Sequence, residues 1–257
     1  DYTLEVIWQN GGCNSFVSRN IIFQNWYNGT FFPHREPKRQ GVKPVGLLGP
    51  GCSNAAIDIA LNAHHFRMPM ISNTADSPEL SNRTLYPGFW RTLMPDTYYN
   101  EAWLSIVRAL GFNEISLVVG RQANSWGGMM KSMLQATRGL DMSLVGPSMR
   151  KSAMQDPEIR GWALEEASMA SAEVIARELM QLKPRPPRFV LLLMFPDIAR
   201  AFFCAVHRNG VTGIVFLTVG WMGKFWWRSD LGDLPCDAHE MEAAVNMTIT
   251  ADVDQRR

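Results

Sequence analysis

The sequence predicts an α/β fold in which helices separate mainly parallel strands. Two apolar runs of strand length, residues 189–195 and 213–219, contain almost no polar side chain, as is typical of strands buried on both faces of a sheet. Segments with apolar residues at helical spacing lie between such runs along most of the chain. This order of strands and helices is that of repeated strand–helix units, which favours a parallel sheet.

In the first half of the chain, capping residues mark where the helices begin and end. Asn14 and Asp96 precede segments of helical spacing and are residue types that cap helix N-termini. Gly111 follows the second of these segments, at a position that favours glycine. Strands are predicted at residues 3–9, 45–48 and 68–72, helices at 14–28, 53–66 and 96–110, and loops at 32–41 and 73–88.

In the second half, prolines limit the helices. Pro184 ends one helix, and Pro196 with Asp197 begins the next. The two halves are predicted to be similar α/β lobes that meet near residues 111–114. Strands are predicted at residues 115–119, 142–145, 189–195, 214–219 and 247–253, helices at 125–137, 174–182, 196–210 and 239–245, and a surface connection at 151–165.

Composition excludes several classes of protein. The 25 Lys and Arg residues balance 24 Asp and Glu residues to a net charge of +1, so the basic excess of a nucleic-acid surface is absent. No run of 18 apolar residues occurs, and no transmembrane helix is predicted. A hydrophobic fraction of 46% is sufficient for a packed core, which excludes a disordered chain.

Cysteines and glycosylation sequons indicate an oxidising compartment. The four cysteines fit two disulfides, with four buried free thiols in a cytosolic protein as the alternative. Because no CxxC spacing occurs, neither a thiolate zinc site nor a thioredoxin-type site is expected, and no metal or cofactor is predicted. The cysteines are Cys13, Cys52, Cys204 and Cys236, and N-glycosylation is predicted at Asn28, Asn82 and Asn246.

Candidate ligand residues follow predicted strands, since ligands of parallel α/β sheets bind beyond the carboxyl ends of the strands. Ser53 opens a helix, where the helix dipole favours a ligand carboxylate; a simple helix cap is the alternative. Asp76 is a candidate partner for a ligand ammonium, or a turn residue bonded to its own backbone. Trp221 is a candidate pocket wall, or a core residue.

Motifs of catalysis are not found in the sequence. GxSxG, HExxH and GxxxxGK[ST] do not occur. The segment Gly49-Pro50-Gly51 lacks the phosphate-binding lysine, and its proline removes a backbone donor. A doubly wound α/β enzyme is therefore a less favoured alternative, because it would need a nucleophile–base pair or a cofactor loop at the strand ends, and neither is found.

Six short motifs stand along the chain, namely GPGCS at residues 49–53, SPELSNR at 77–83, YPGFWRT at 86–92, ARAFFC at 199–204, FLTVGW at 216–221 and EMEAAV at 240–245. Together they resemble the Venus-flytrap domain of metabotropic GABA (GABA-B) receptors. The first three are similar to lobe I of that domain and the last three to lobe II, in the same order over nearly the whole chain. The same domain occurs in Venus kinase receptors, outside a transmembrane segment and an intracellular tyrosine kinase.

The resemblance implies a bilobed clamshell like type I periplasmic binding proteins, each lobe a mainly parallel sheet flanked by helices. It places lobe I at residues 1–111, lobe II at 112–249 and the start of the return hinge to lobe I at 250–257. It also implies the disulfides Cys13–Cys52 and Cys204–Cys236. The family's first strand–helix unit has no counterpart here, so lobe I is expected to be incomplete, with an exposed apolar face and poor solubility.

The resemblance also implies a set of ligand-binding residues. Ser53 matches a lobe I serine that holds the ligand carboxylate, and Trp221 matches a lobe II tryptophan that stacks on the ligand. Asp76, beside Ser77, replaces a second lobe I serine. Phe195 replaces a lobe II tyrosine, so that the ring remains and the hydroxyl is lost.

These departures from the family pattern indicate a ligand other than GABA. Leu93 also replaces a lobe I histidine. A carboxylate about 4 Å from Asp76 would be repelled by about 4 kcal/mol at an effective dielectric constant of about 20. An α-amino acid carries both charges on one carbon, so its carboxylate can meet Ser53 while its ammonium meets Asp76. The hypothesised ligand is therefore an α-amino acid, and this class includes the basic amino acids.

The predicted function is that of an extracellular receptor domain at the plasma membrane, which closes on a small amino-acid-like ligand. The effector is a G protein or an intracellular tyrosine kinase, and membrane contact is expected only through segments outside this chain. The family implies a dimer through lobe I. The alternative is a dimerisation subunit that binds no ligand, which Ser53 and Trp221 disfavour and the changes at Asp76 and Phe195 favour.

Overall fold

The computed structural model shows two compact units, residues 1–96 and 97–257, each built around a parallel sheet. This confirms the predicted α/β class with parallel strands flanked by helices. The residues that the structure describes are 6, 8–28, 44–120, 126–149, 158–164, 167–222, 224–228 and 231–251. None of the helices in these ranges is long and apolar enough to cross a bilayer.

The first unit contains a three-stranded parallel sheet in the order β1-β2-β3. Asn14 caps its first helix, because its side-chain Oδ1 accepts a hydrogen bond from the Val17 amide at 3.0 Å. Two 3-10 turns, His64–Phe66 and Pro78–Ser81, follow the second helix and the second strand. The elements are α1 (Ser15–Asn28), β1 (Leu47–Leu48), α2 (Ser53–Ala63), β2 (Met70–Ser72) and β3 (Phe89–Arg91).

The two faces of this small sheet differ. Met70 and Phe89 are buried against α2, where Ile59 lies in the same core. On the other face, one residue of each strand points outward and the three are in register. These are Leu48, Ile71 and Trp90, with exposed fractions of 76%, 43% and 55%. These three side chains therefore form an exposed apolar face on the part of the first unit that the structure describes.

The second unit contains a six-stranded parallel sheet in the order β5-β4-β7-β8-β9. The sixth strand, β6, pairs with the end of β4, while β5 pairs with its beginning. The elements are α3 (Thr97–Ala109), β4 (Glu114–Gly120), α4 (Gly127–Gly139), β5 (Ser143–Leu144), β6 (Trp162–Leu164), α5 (Met169–Gln181), β7 (Phe189–Leu193), α6 (Pro196–Arg208), β8 (Val215–Val219), α7 (Ala238–Val245) and β9 (Thr248–Ala251).

The central strands of the second unit are buried on both faces, as their sequences predict. All five residues of β7 are buried, and so are the last four of β8. A cluster of edge-to-face rings joins α6 to β8, with centroids 5.3 Å apart for Phe203 and Phe216 and 5.6 Å apart for Phe202 and Phe216. α6 buries eight residues, which fixes it firmly on the sheet.

Two short strands, β3 and β6, were not predicted from the sequence. β3 lies immediately after the predicted loop 73–88, and β6 lies in the segment predicted to be an irregular connection. Neither has a periodic pattern, because each has only three residues and is defined by pairing with a neighbour. Gly161 allows β6 to approach, since a Cβ at this position would collide with the Leu117 carbonyl.

Some predictions lie outside the described residues, namely most of strand 3–9, loop 32–41 and the hinge after residue 251.

The packing divides the chain after Asp96, so that α3 groups with the second unit, where Asn100 donates a hydrogen bond to the Met129 carbonyl at 3.1 Å. The sequence instead places the lobe boundary after Gly111. The lobe boundaries themselves stay a prediction.

Candidate ligand-binding site

Three of the predicted site residues meet in the first unit. Ser53 is the first residue of α2, and its hydroxyl donates a hydrogen bond to Asp76 Oδ1 at 3.2 Å. The Ser53 hydroxyl oxygen also accepts a hydrogen bond from the Ser77 amide at 3.1 Å. The start of α2 and the loop after β2 are thus joined through one hydroxyl.

The loop before Ser53 approaches the loop after β2 closely. A Cβ at Gly51 would collide with Thr74 Oγ1, so any larger residue there would force the Thr74 side chain to rotate. Ser72, fully buried at the end of β2, donates to the Pro50 carbonyl at 2.8 Å and accepts from the Ala75 amide at 3.0 Å. These contacts set the position of Ser53 relative to Asp76.

Asp76 is also paired with a second carboxyl group. The Asp96 amide donates to the Asp76 carbonyl at 3.0 Å, and the two side chains are hydrogen-bonded to each other. Asp96 is only 5% exposed. Burial raises the pKa of Asp96 to about 9, and the hydrogen bond and negative charge of Asp76 act in the same direction. Asp96 is therefore the protonated member of the pair at neutral pH.

Arg91, the last residue of β3, supplies the positive charge near this pair. Its Nη1 donates to the carbonyl of Ser77 at 2.8 Å and to that of Ala75 at 3.4 Å. Burial lowers the pKa of Arg91, while the charges of Asp76 and Asp96 oppose that shift. Arg91 thus both holds the loop after β2 and partly offsets the acidic charge of the site.

The other two predicted site residues lie in the second unit, just beyond the carboxyl ends of β7 and β8. These strands are neighbours, with Leu191 paired to Leu217. Phe195 precedes α6, is half-buried, and has its ring centroid 5.8 Å from that of Trp126. Trp221 lies in the 3-10 turn after β8, and its side chain is outside the described residues. Both positions are at the sheet edge where ligands of parallel sheets bind.

Both cysteine pairs form the disulfides that the family resemblance implies. Cys13 is bonded to Cys52 with a Cα–Cα distance of 5.3 Å, and Cys204 to Cys236 with a distance of 5.7 Å. The first lies beside Ser53 and ties the start of α2 to the segment before α1. The free-thiol alternative is therefore wrong for this structure.

Sequence reasoning did not identify three residues that shape the site. Ser72 and Arg91 are strand-end residues whose polar side chains bond loop carbonyls. Asp96 was predicted only as a helix cap. Its position between a proline and an apolar helix indicates a helix cap. Its contact with Asp76 depends on the fold and has no signal in the local sequence.

Comparison with known proteins places these observations in one family. A profile of the receptor family ligand-binding region matches residues 1–256. Gamma-aminobutyric acid type B receptor subunit 1 of Mus musculus is 22% identical over 256 residues, which is 98% of this chain and 23% of that receptor. Metabotropic glutamate receptor 8 of Homo sapiens is 26% identical over 205 residues, 80% of this chain and 20% of that receptor.

Metabotropic glutamate receptor 4 of Macaca fascicularis is 27% identical over 187 residues, covering 73% of this chain and 18% of that receptor. The chain thus spans less than a quarter of the length of these relatives. The match extends over both α/β units. The chain belongs to the family of receptor ligand-binding regions, the Venus-flytrap domains.

Proposed function

We propose that this chain is the extracellular ligand-binding domain of a cell-surface receptor and that it binds a small α-amino acid. In this proposal the two units are the lobes of a clamshell, which closes on the ligand and signals through segments outside this chain. The domain acts by binding and carries no chemistry of its own. Family membership and the hydrogen-bonded group of Ser53, Asp76 and Ser77 support the proposal.

The start of α2 is suited to the ligand carboxylate. The residue at the cap position is Cys52, which makes no side-chain hydrogen bond to the first turn. The Ser53 hydroxyl lies beside this turn, and the helix dipole favours a negative charge there. A hydroxyl has one hydrogen, so Ser53 turns it from Asp76 to the ligand carboxylate when the ligand binds, and the partial positive charge of the helix end acts on the same carboxylate.

Asp76 is suited to the ligand ammonium. A carboxylate offers about four acceptor positions, and Ser53 and Asp96 occupy only part of them. Asp76 is half-buried, so an ammonium that reaches it is partly shielded from water. A ligand whose carboxylate and ammonium share one carbon can meet both Ser53 and Asp76. GABA separates these groups, and for this reason we favour an α-amino acid.

Phe195 and Trp221 are proposed to contact the ligand from the second lobe. Both lie beyond the carboxyl ends of neighbouring strands, and an aromatic ring there can stack on the ligand. The proposed partner protein is a second receptor subunit that pairs through the first lobe. The effector is proposed to be a G protein, as the similarity to metabotropic GABA and glutamate receptors favours, or a tyrosine kinase.

The test is a calorimetric titration of the complete extracellular region with GABA, glycine and the common L-amino acids. We expect one α-amino acid to bind, and Ser53→Ala to weaken its affinity by about tenfold or more through loss of a hydrogen bond to a charged group. Ser105→Ala, at an exposed position of α3, is the matched control and leaves the affinity unchanged.

Two other results would change the assignment. Binding of GABA but of no α-amino acid would contradict the proposed ligand class. Absence of heat with every compound would favour a dimerisation subunit that binds no small ligand, consistent with the replacements at Asp76, Leu93 and Phe195.

A further inference from the structure

Asp96 forms the buried end of a short chain of polar side chains that starts at the proposed carboxylate site. The Ser53 hydroxyl donates to Asp76, and the Asp76 carbonyl accepts from the Asp96 amide at 3.0 Å, so that the two carboxyl groups interact. Asp76 is half-buried, whereas Asp96 is 5% exposed. Two carboxylates in contact in a poorly hydrated place repel each other, so that they retain one proton between them.

The positive charge next to this carboxyl pair comes from β3. Arg91, from β3, is the cation that acts on both acids, and its guanidinium is bonded to the Ala75 and Ser77 carbonyls. The side chain that α2 contributes is the uncharged hydroxyl of Ser53. With one shared proton, the acids and Arg91 sum to zero charge. Without that proton the sum is −1, which attracts a cation.

We propose that the Asp76–Asp96 pair couples ligand affinity to pH, because the shared proton leaves when the ligand ammonium arrives at Asp76. This inference rests on the proposed function and adds Asp96 to the site as a residue that regulates affinity. The proton balance is simple. The Asp96 carboxyl group loses its proton to the solvent, and the ammonium donates its own N–H groups to Asp76. One ligand bound therefore releases one proton.

This coupling has a defined size. Below the pH at which Asp96 ionises, each rise of one pH unit lowers the free-energy cost of proton release by about 1.4 kcal/mol, or about tenfold in affinity. Asp96→Asn removes the titrating group while its side-chain amide can still donate a hydrogen bond to Asp76. The variant is therefore expected to bind with an affinity that does not change over the same pH range.

The experiment is a calorimetric titration of the complete extracellular region with L-arginine and with glycine, at about pH 6.5 and at about pH 8. At both pH values Asp96 of the free protein is protonated and the guanidinium of arginine is charged. We expect the wild-type affinity to be more than about tenfold higher at the upper pH, and that of Asp96→Asn to be equal at both. Repeating the wild-type titration in phosphate and in Tris, which differ in ionisation enthalpy, counts the protons released.

The outcomes separate this inference from the proposed function. Binding of a probe by wild type and Asp96→Asn with the same pH dependence overturns the inference alone, as does binding by wild type without proton release. The proton count needs no variant and decides the matter even if Asp96→Asn does not fold. If neither probe binds, the same experiment is run with the α-amino acid that does bind, and absence of binding by every common α-amino acid overturns the proposed ligand class and this inference with it.

Discussion

The Ser53 hydroxyl donates a hydrogen bond to Asp76 Oδ1 at 3.2 Å and so connects the first turn of α2 with the loop after β2. The helix begins at Ser53 itself, and Cys52 occupies the cap position. The sequence left two interpretations of Ser53 open, a carboxylate-binding residue and a simple helix cap. The helix cap is wrong, since Cys52 holds that position. For Asp76, the side chain bonds to Ser53 and Asp96, which are distant in sequence.

Asp76→Asn is expected to reduce the affinity for α-amino acids by about tenfold or more, because it removes the negative charge that faces the ammonium. The affinity for a carboxylate without an ammonium, such as acetate, should not fall. Calorimetry on the extracellular region measures both. Asp141→Asn, at an exposed residue with φ of 54° that asparagine also tolerates, is the control. An equal loss for both probes would contradict the assignment of Asp76 to the ammonium.

The free energy of unfolding is expected to depend on the ionisation of Asp96 in the ligand-free protein. Its pKa of about 9 in the folded state lies above the ordinary value of 3.8, so the folded state retains a proton that the unfolded chain loses. Stability should therefore fall between about pH 4 and about pH 9, by at most about 1.4 kcal/mol per pH unit. Urea unfolding of Asp96→Asn should show a smaller fall, and parallel curves for variant and wild type would refute this.

Adjacent residues of β2 are expected to respond differently to truncation. Met70 is fully buried and Ile71 is 43% exposed, because successive side chains of a strand point to opposite faces. Met70→Ala should lower the free energy of unfolding by about 2–5 kcal/mol, and Ile71→Ala by less than about 1 kcal/mol.

Ile71→Thr provides a second test of the exposed face that Ile71 shares with Leu48 and Trp90. We expect it to increase the soluble fraction of this chain expressed alone, since it reduces a contiguous apolar patch. Light scattering at equal protein concentration gives the comparison. An unchanged tendency to aggregate would show that this face does not limit solubility.

The two disulfides are expected to differ in their access to reductant. Cys13 is exposed, whereas Cys204 and Cys236 are 0% and 4% exposed. Dithiothreitol should therefore open Cys13–Cys52 first, because thiol–disulfide exchange needs access to a sulfur atom. Opening of the second disulfide should cost about 2–4 kcal/mol of stability. Timed alkylation with mass spectrometry gives the order, and simultaneous loss of both bonds would contradict it.

Asn82 and Asn246 are expected to carry N-linked glycans when the chain is secreted from animal cells. Both are exposed, and Asn82 lies in a turn where its Oδ1 accepts from the amides of Thr84 and Leu85 at 3.0 and 3.2 Å. Asn28 is the third predicted site, and its side chain is outside the described residues. Treatment with an amidase that removes N-glycans should lower the apparent mass, and should not do so for the variant with all three residues changed to Gln.

Local sequence patterns determined most of the long elements. The apolar runs of β7 and β8 are strands buried on both faces, and Asn14 caps α1 as its residue type predicts. Such features depend on neighbours along the chain, through propensity, capping and periodic burial. Family motifs then identified the receptor domain and the two cysteine pairs.

Tertiary structure alone decided the features that depend on distant partners. β3 and β6 are too short for a periodic pattern and exist because β2 and β4 offer edges to pair with. The sequence marked Asp76 as a candidate carboxylate, but only the fold brings Asp96 to it and Arg91 to the same loop. A pKa depends on burial and on nearby charge, and both arise only when segments far apart in sequence pack together.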